Sequence, residues 1–252
     1  MASRTGAEAV EIFAARQHFD YTDREEVTEL ADWFRSNTLS PFSMHAPLYP
    51  DKEMGRSGTP SVNLLHPEKA RRIAAMDEIK RALETAELIP FKNLVVHLGE
   101  RTESWSNEAL EYSQTALEHL GAFAHPLGVR LLVENLLTEA TEPEHLNTIL
   151  EIGHLDSVGI CLDMGHAHIA RGVSEVIEVL GKRIASTHVH DNHGVRDEHL
   201  WPGDGSIDWA ATAKALAALT TPPATVLEIH PTLLGDTATL PERVAAAFAK
   251  LG

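Results

Sequence analysis

The chain has 252 residues, 43% hydrophobic and 23% charged, enough to bury a full core as a single domain over residues 1–252. Acidic residues outnumber basic ones 37 to 21, a formal net charge of −16; with no Lys/Arg block to form a basic face, a nucleic-acid partner is disfavoured. No apolar run of roughly 18 residues suggests a membrane span, and the first twenty residues lack the order of a secretory signal, so a cytoplasmic location away from membranes is the expectation.

Ala9 to Ala15 is an apolar run of strand length, and Asp23 opens a helical pattern through Val27, Leu30, Ala31 and Phe34. Pro41 to Ala46 is strand-like around His45 and leads into a Pro-rich loop. Residues 67–88 carry a helical stripe of Ile73, Met76, Ile79, Leu83 and Ala86. The alternation then repeats. Strands are expected at Asn93–Gly99 with His97, Arg130–Leu136 with Glu134, Val158–Gly165 with Asp163, Ala185–Asn192 with His188, and Thr225–His230 with Glu228. Helices are expected at Asn107–Phe123, Pro143–Ile152, Ser174–Leu180, from Asp208, and over 241–250. Cys161, the only cysteine, falls in an apolar strand and is expected to be a buried thiol rather than a nucleophile.

Apolar strands alternating with amphipathic helices predict an α/β fold with a parallel sheet. Six of the strands end near an ionisable residue. A closed barrel brings all its strand ends to one mouth, whereas an open sheet does not, so the pattern predicts a (β/α)8 TIM barrel. Only seven strands can be counted. The first is the one expected to be missing, with the true start upstream or the open edge covered by a helix, a loop or a second copy in a homo-oligomer.

The densest polar stretch is Thr187–Trp209, THVHDNHGVRDEHLWPGDGSIDW, with His188, His190, Asp191, His193, Asp197 and His199 within twelve positions. Imidazoles and carboxylates at this density are ligands for divalent cations, which would offset the carboxylate repulsion. His190 and His193, taken singly, are supporting or solvated residues rather than ligands, and His190 and Trp201 are candidate substrate contacts. His166 and His168 fall in an expected helix-entry loop after Asp163.

In order, HAP at 45–47, VVHLG at 95–99, VEN at 133–135, LDMGHA at 162–167, HVHDN at 188–192, DEHLWPGDGSIDW at 197–209 and LEIH at 227–230 resemble the xylose-isomerase-like TIM barrels. These include sugar and sugar-phosphate isomerases and epimerases, and the endonuclease IV type of apurinic-site nuclease. The resemblance implies two metal arrangements. An isomerase-like site would hold one ion on Glu134, Asp163, His188 and Glu228, with Glu134 and Glu228 as the proton-moving pair. A nuclease-like site would hold three, adding His45, His97, His166, Asp197 and His199. The implied cofactor is therefore one to three divalent ions, Zn, Mn, Mg or Co. The acidic charge favours a small polyhydroxylated substrate and an isomerase or epimerase. A trinuclear zinc phosphoesterase is the alternative, and an inactive barrel serving as a binding module is the third.

Overall fold

The computed structural model describes residues 7–100, 103–236 and 238–251. Its strands are β1 (Ala9–Phe13), β2 (Ser40–His45), β3 (Asn93–Val96), β4 (Arg130–Glu134), β5 (Gly159–Asp163), β6 (Ile184–Val189) and β7 (Ala224–Leu227). They pair in parallel in sequence order. Each β-α-β return spans the length of the sheet, and the helices that make it are α1 (Arg24–Arg35), α2 (Lys69–Glu84), α3 (Asn107–Ala124), α4 (Pro143–Ile152), α5 (Met164–Ala170), α6 (Val173–Leu180) and α7 (Trp209–Ala217), with α8 (Leu240–Phe248) following the last strand. The sheet curls into a nearly closed (β/α)8-type barrel. Glu11 on β1 thus reaches His188 on β6 at 2.9 Å, although these strands are far apart in sheet order. Seven strands are present among the described residues, as counted from the sequence, and β1 and β7 form the two edges.

Both faces of the central strands are buried, and their side chains alternate between two environments. Leu94, Val96, Leu131, Val133, Ile160 and Leu162 join the large cluster under the helices. Val95, Leu132 and Cys161 form a small separate cluster on the other face, inside the barrel. Cys161 is fully buried, and burial pushes its thiol up to about 12, as expected of an unreactive core group. One further step of two along each inner-facing set leads from Val95 to His97, from Leu132 to Glu134 and from Cys161 to Asp163. The strand period therefore places these three in the barrel mouth.

Two expectations about local structure are corrected. In α2 the buried face is Ala75, Ile79, Ala82 and Leu83, while Ile73 is 44% exposed. The small alanines let the helix approach the strands, and the buried Glu78 on the same face is satisfied by the Tyr21 hydroxyl, which donates to it at 2.5 Å. The segment after Asp163 is a helix rather than an entry loop. Asp163 caps α5 by accepting from the His166 backbone N–H at 2.6 Å, which turns the chain at once.

The segment 190–209 is built around the fully buried Asp191. Its Oδ1 accepts from the backbone N–H groups of Asn192 (2.9 Å) and Ile207 (3.1 Å). Its Oδ2 accepts from the Gly203 N–H and the Trp209 indole, both at 2.8 Å. An antiparallel bridge between Asp191 and Leu200 closes the same loop. Gly205 is required here, because a Cβ would overlap the Asp191 carboxylate and the Asn192 backbone. Substituting Asp191→Ala strands several buried donors at roughly 1–3 kcal/mol each. The expected result is a loss of about 3 kcal/mol or more in urea unfolding.

Candidate metal centre

Glu134 is 2% exposed and lies among four imidazoles. Its Oε2 is 3.1 Å from His97 Nε2 and 3.3 Å from His45 Nε2. Its Oε1 is 3.5 Å from His188 Nδ1 and 3.6 Å from His166 Nδ1. Asp163, fully buried, faces His190 Nε2 at 3.0 Å. Glu228, just past the end of β7, lies 3.1 Å from His188 Nδ1. The loop held by Asp191 supplies Asp197, whose Oδ2 is 3.1 Å from His199 Nε2 and 3.3 Å from His166 Nε2. The nine residues singled out as ligands in the sequence thus converge on one mouth.

Within this cluster the ligand atoms of four groups lie within 4.8 Å of one another: His45, His97 and Glu134; Glu134, Asp163 and His166; Asp163, His188 and Glu228; and His190, His199 and Glu228. The hydrogen bonds suit a cation. His45 Nδ1 donates to Ala46 O (2.9 Å), His166 Nδ1 to Asn135 O (3.0 Å) and His199 Nδ1 to Glu228 O (3.0 Å). A carbonyl can only accept, so each neutral ring keeps its lone pair on Nε2, facing a carboxylate. His188 Nδ1 and Asp197 Oδ1 are buried with no hydrogen-bond partner among the described residues. Unpartnered donor atoms among crowded carboxylates fit divalent ions, which the set His45, His97, Glu134, Asp163, His166, His188, Asp197, His199 and Glu228 would hold.

The electrostatics of the cluster favour positive charge. Burial alone would raise Glu134, yet the facing imidazoles hold it well below the usual carboxylate range. Burial opposes protonation of His166, but Asp163 and Asp197 outweigh it and raise the ring to about 10. His199 rises to about 9 for the same reason, with Asp197 and Glu228 as partners. Glu228 moves the other way: burial raises it, and the charges of Asp163 and Glu134 add to that against the pull of His188.

Three further placements bear on the site. His190 is fully buried rather than solvated and joins a ligand group, while His193 is exposed and pairs with Glu198 at 2.9 Å. Trp201, expected near the substrate, is 4% exposed and packs with Leu240, Val244 and Ala247 of α8. Its indole donates to Leu233 O at 2.9 Å, so the ring holds down the C-terminal helix. Glu11 and Asn135 were not anticipated. The Asn135 amide donates to Asp163 O (3.0 Å) and accepts from the Asp163 N–H (2.7 Å), extending the β4–β5 pairing to the site. The VEN motif was the available signal for Asn135. Glu11 sits in an ordinary apolar strand with no such signal.

His166 and His199 bind protons more tightly here than at the ordinary 6.5. Their contribution to the stability of EDTA-treated protein is complete below pH 6.5 and is lost as pH rises through about 9 to 10. Thermal melts of chelated protein are expected to fall across that window, and a flat profile contradicts this. A Cβ on Gly165 would overlap the His190 ring. Gly165→Ala is therefore expected to displace His190 and weaken zinc binding by at least about tenfold in a calorimetric titration.

Comparison with known proteins identifies the family of the chain. Residues 1–247 match the family described as "Xylose isomerase-like TIM barrel". The y4fM protein of Sinorhizobium fredii is 30% identical over 194 residues, 73% of this chain, which spans 60% of that protein's length. The inosose isomerase of Bacillus velezensis is 23% identical, covering 86% of this chain and 76% of its own. A probable endonuclease 4 of Haloarcula marismortui is 25% identical over 73% of this chain and 68% of its own. Among solved structures, a D-tagatose 3-epimerase-like protein superposes with a TM-score of 0.73 at 24% identity, covering 97% of this chain and 91% of its own. A zinc-bound IOLI protein gives 0.74 at 21% identity, covering 99% and 88%. The chain belongs to the xylose isomerase-like TIM barrel family.

Proposed function

We propose that the protein is a multinuclear metal-dependent hydrolase of small, sugar-like phosphate esters. The observation that carries this reading is the sharing of carboxylates. Glu134, Asp163 and Glu228 each belong to two of the four candidate ligand groups, which link into one chain of adjacent sites. Carboxylates shared between adjacent ligand groups would suit a cluster of ions better than a single one. Divalent ions, when bound, would supply Lewis acidity toward phosphoryl oxygens and a nucleophilic hydroxide near neutral pH.

The chain's own groups divide the remaining work. Glu134, held anionic and almost fully enclosed, keeps four imidazoles in place and is poorly suited to moving protons. The Glu228 side chain is 40% exposed, so of the three carboxylates it is the one placed to exchange a proton with water or a departing alkoxide. A small substrate suits the rim. Arg16 and Lys52 are both committed to Asp20, and Arg171 to Glu144, leaving these cations compensated rather than aligned for a polyanion.

Sugar isomerisation or epimerisation, the reading favoured by the composition, stands second. Glu228 is the specific observation in its favour, and the names of several solved relatives, among them an L-ribulose 3-epimerase, point the same way. A two-glutamate relay, however, would draw on Glu134, which is 2% exposed and held well below the usual carboxylate range.

Metal analysis combined with activity assays separates the two. The expected outcome is two or more zinc or manganese equivalents per chain and release of inorganic phosphate from sugar phosphates. Asp197→Ala should lose at least one equivalent and about 100-fold or more in turnover. One ion, ketose epimerisation and an unaffected Asp197→Ala variant would assign the isomerase chemistry instead.

A further inference from the structure

We propose that Glu11 is a positioning residue that turns His188 so that Nδ1, not Nε2, is the nitrogen offered to a cation. This rests on the metal-dependent reading of the mouth and adds to it a residue outside the nine expected ligands.

The argument starts at the sheet edge. Glu11 on β1 lies directly across from Ser43 on β2. The Ser43 hydroxyl donates to Glu11 Oε2 at 2.6 Å, which fixes the carboxylate and leaves Oε1 directed inward. There Oε1 lies 2.9 Å from His188 Nε2. An ionised carboxylate only accepts, so Nε2 carries the hydrogen, and the neutral ring must keep its lone pair on Nδ1.

That nitrogen is in an unusual position. His188 is fully buried, and Nδ1 has no hydrogen-bond partner among the described residues. Around it lie Glu228 Oε2 at 3.1 Å, Glu134 Oε1 at 3.5 Å and Asp163 Oδ2 at 4.0 Å. A lone pair facing three carboxylate oxygens is repulsive, and either a proton on Nδ1 or a metal ion between them relieves it. A cation there satisfies all four donors, and the outer carboxylate makes the imidazole a stronger ligand.

His45, His166 and His199 are oriented the opposite way, each through Nδ1–H to a backbone carbonyl. Backbone fixes those three rings. His188 is fixed by a side chain, and its orientation can be tested by substitution.

The test uses the full chain with ¹⁵N-labelled histidine, loaded with ¹¹³Cd²⁺. Long-range proton–nitrogen spectra then report which nitrogen of each ring couples to the metal, with the His188 signals assigned by their loss in His188→Asn. The expected pattern is coupling at His188 Nδ1 with a protonated Nε2, and coupling through Nε2 for His45, His166 and His199. In parallel, Glu11→Leu is expected to weaken zinc binding about 10- to 100-fold with its circular dichroism retained, and Glu11→Gln, which keeps an acceptor oxygen, to recover most of it. Coupling at His188 Nε2, or wild-type zinc affinity in Glu11→Leu, overturns the proposal. Should Glu11→Leu fail to fold, the coupling pattern of the unsubstituted protein decides alone. A protein that takes up no cadmium or zinc overturns the functional reading as well, whereas binding through Nε2 overturns only the role of Glu11.

Discussion

The constraint on which the site depends is the gathering of three carboxylates, Glu134, Asp163 and Glu228, at the ends of β4, β5 and β7 of one barrel. Groups of like charge this close, two of them almost wholly removed from water, cannot remain ionised without compensation. The chain supplies imidazoles in place of Lys or Arg. Imidazoles can compensate in two ways, as cations when protonated or as ligands when neutral. The carboxylates around His166 and His199 favour the first state, and the backbone-directed Nδ1–H bonds of His45, His166 and His199 suit the second.

The barrel and the loops divide the task of positioning. Strand alternation sets His97, Glu134 and Asp163 one step beyond an apolar inner layer of Val95, Leu132 and Cys161, so these candidate ligands stand on a packed floor. The candidate ligands on the loop, Asp197 and His199, have no such floor. They depend on Asp191, which gathers two backbone amides and an indole from residues 203–209 onto one carboxylate. His199 itself has a positive φ of 47°, a conformation that a residue with a side chain adopts only when its surroundings impose it.

Much of this was legible in the chain. The alternation of apolar strands and amphipathic helices specifies seven parallel strands, and the ionisable residues near their ends specify which residues share a mouth. What misled was local. Ile73 fits a helical stripe, but the alanine face packs more closely, so the larger side chain is left outside. Trp201 in a Pro/Gly loop resembles a ring that closes over a sugar, yet its indole N–H finds Leu233 O and the ring is buried under α8.

The sequence by itself determined the parallel α/β architecture and the residue types of the mouth, because both follow from periodicities of two and 3.6 and from the spacing of polar residues after strands. Only the tertiary structure decided how those residues pair. Glu11 and His188 are 177 positions apart and meet because the sheet curls. The sharing of Glu134, Asp163 and Glu228 among adjacent ligand groups, on which the choice of chemistry turns, is likewise a matter of distances between strands that no spacing along the chain contains.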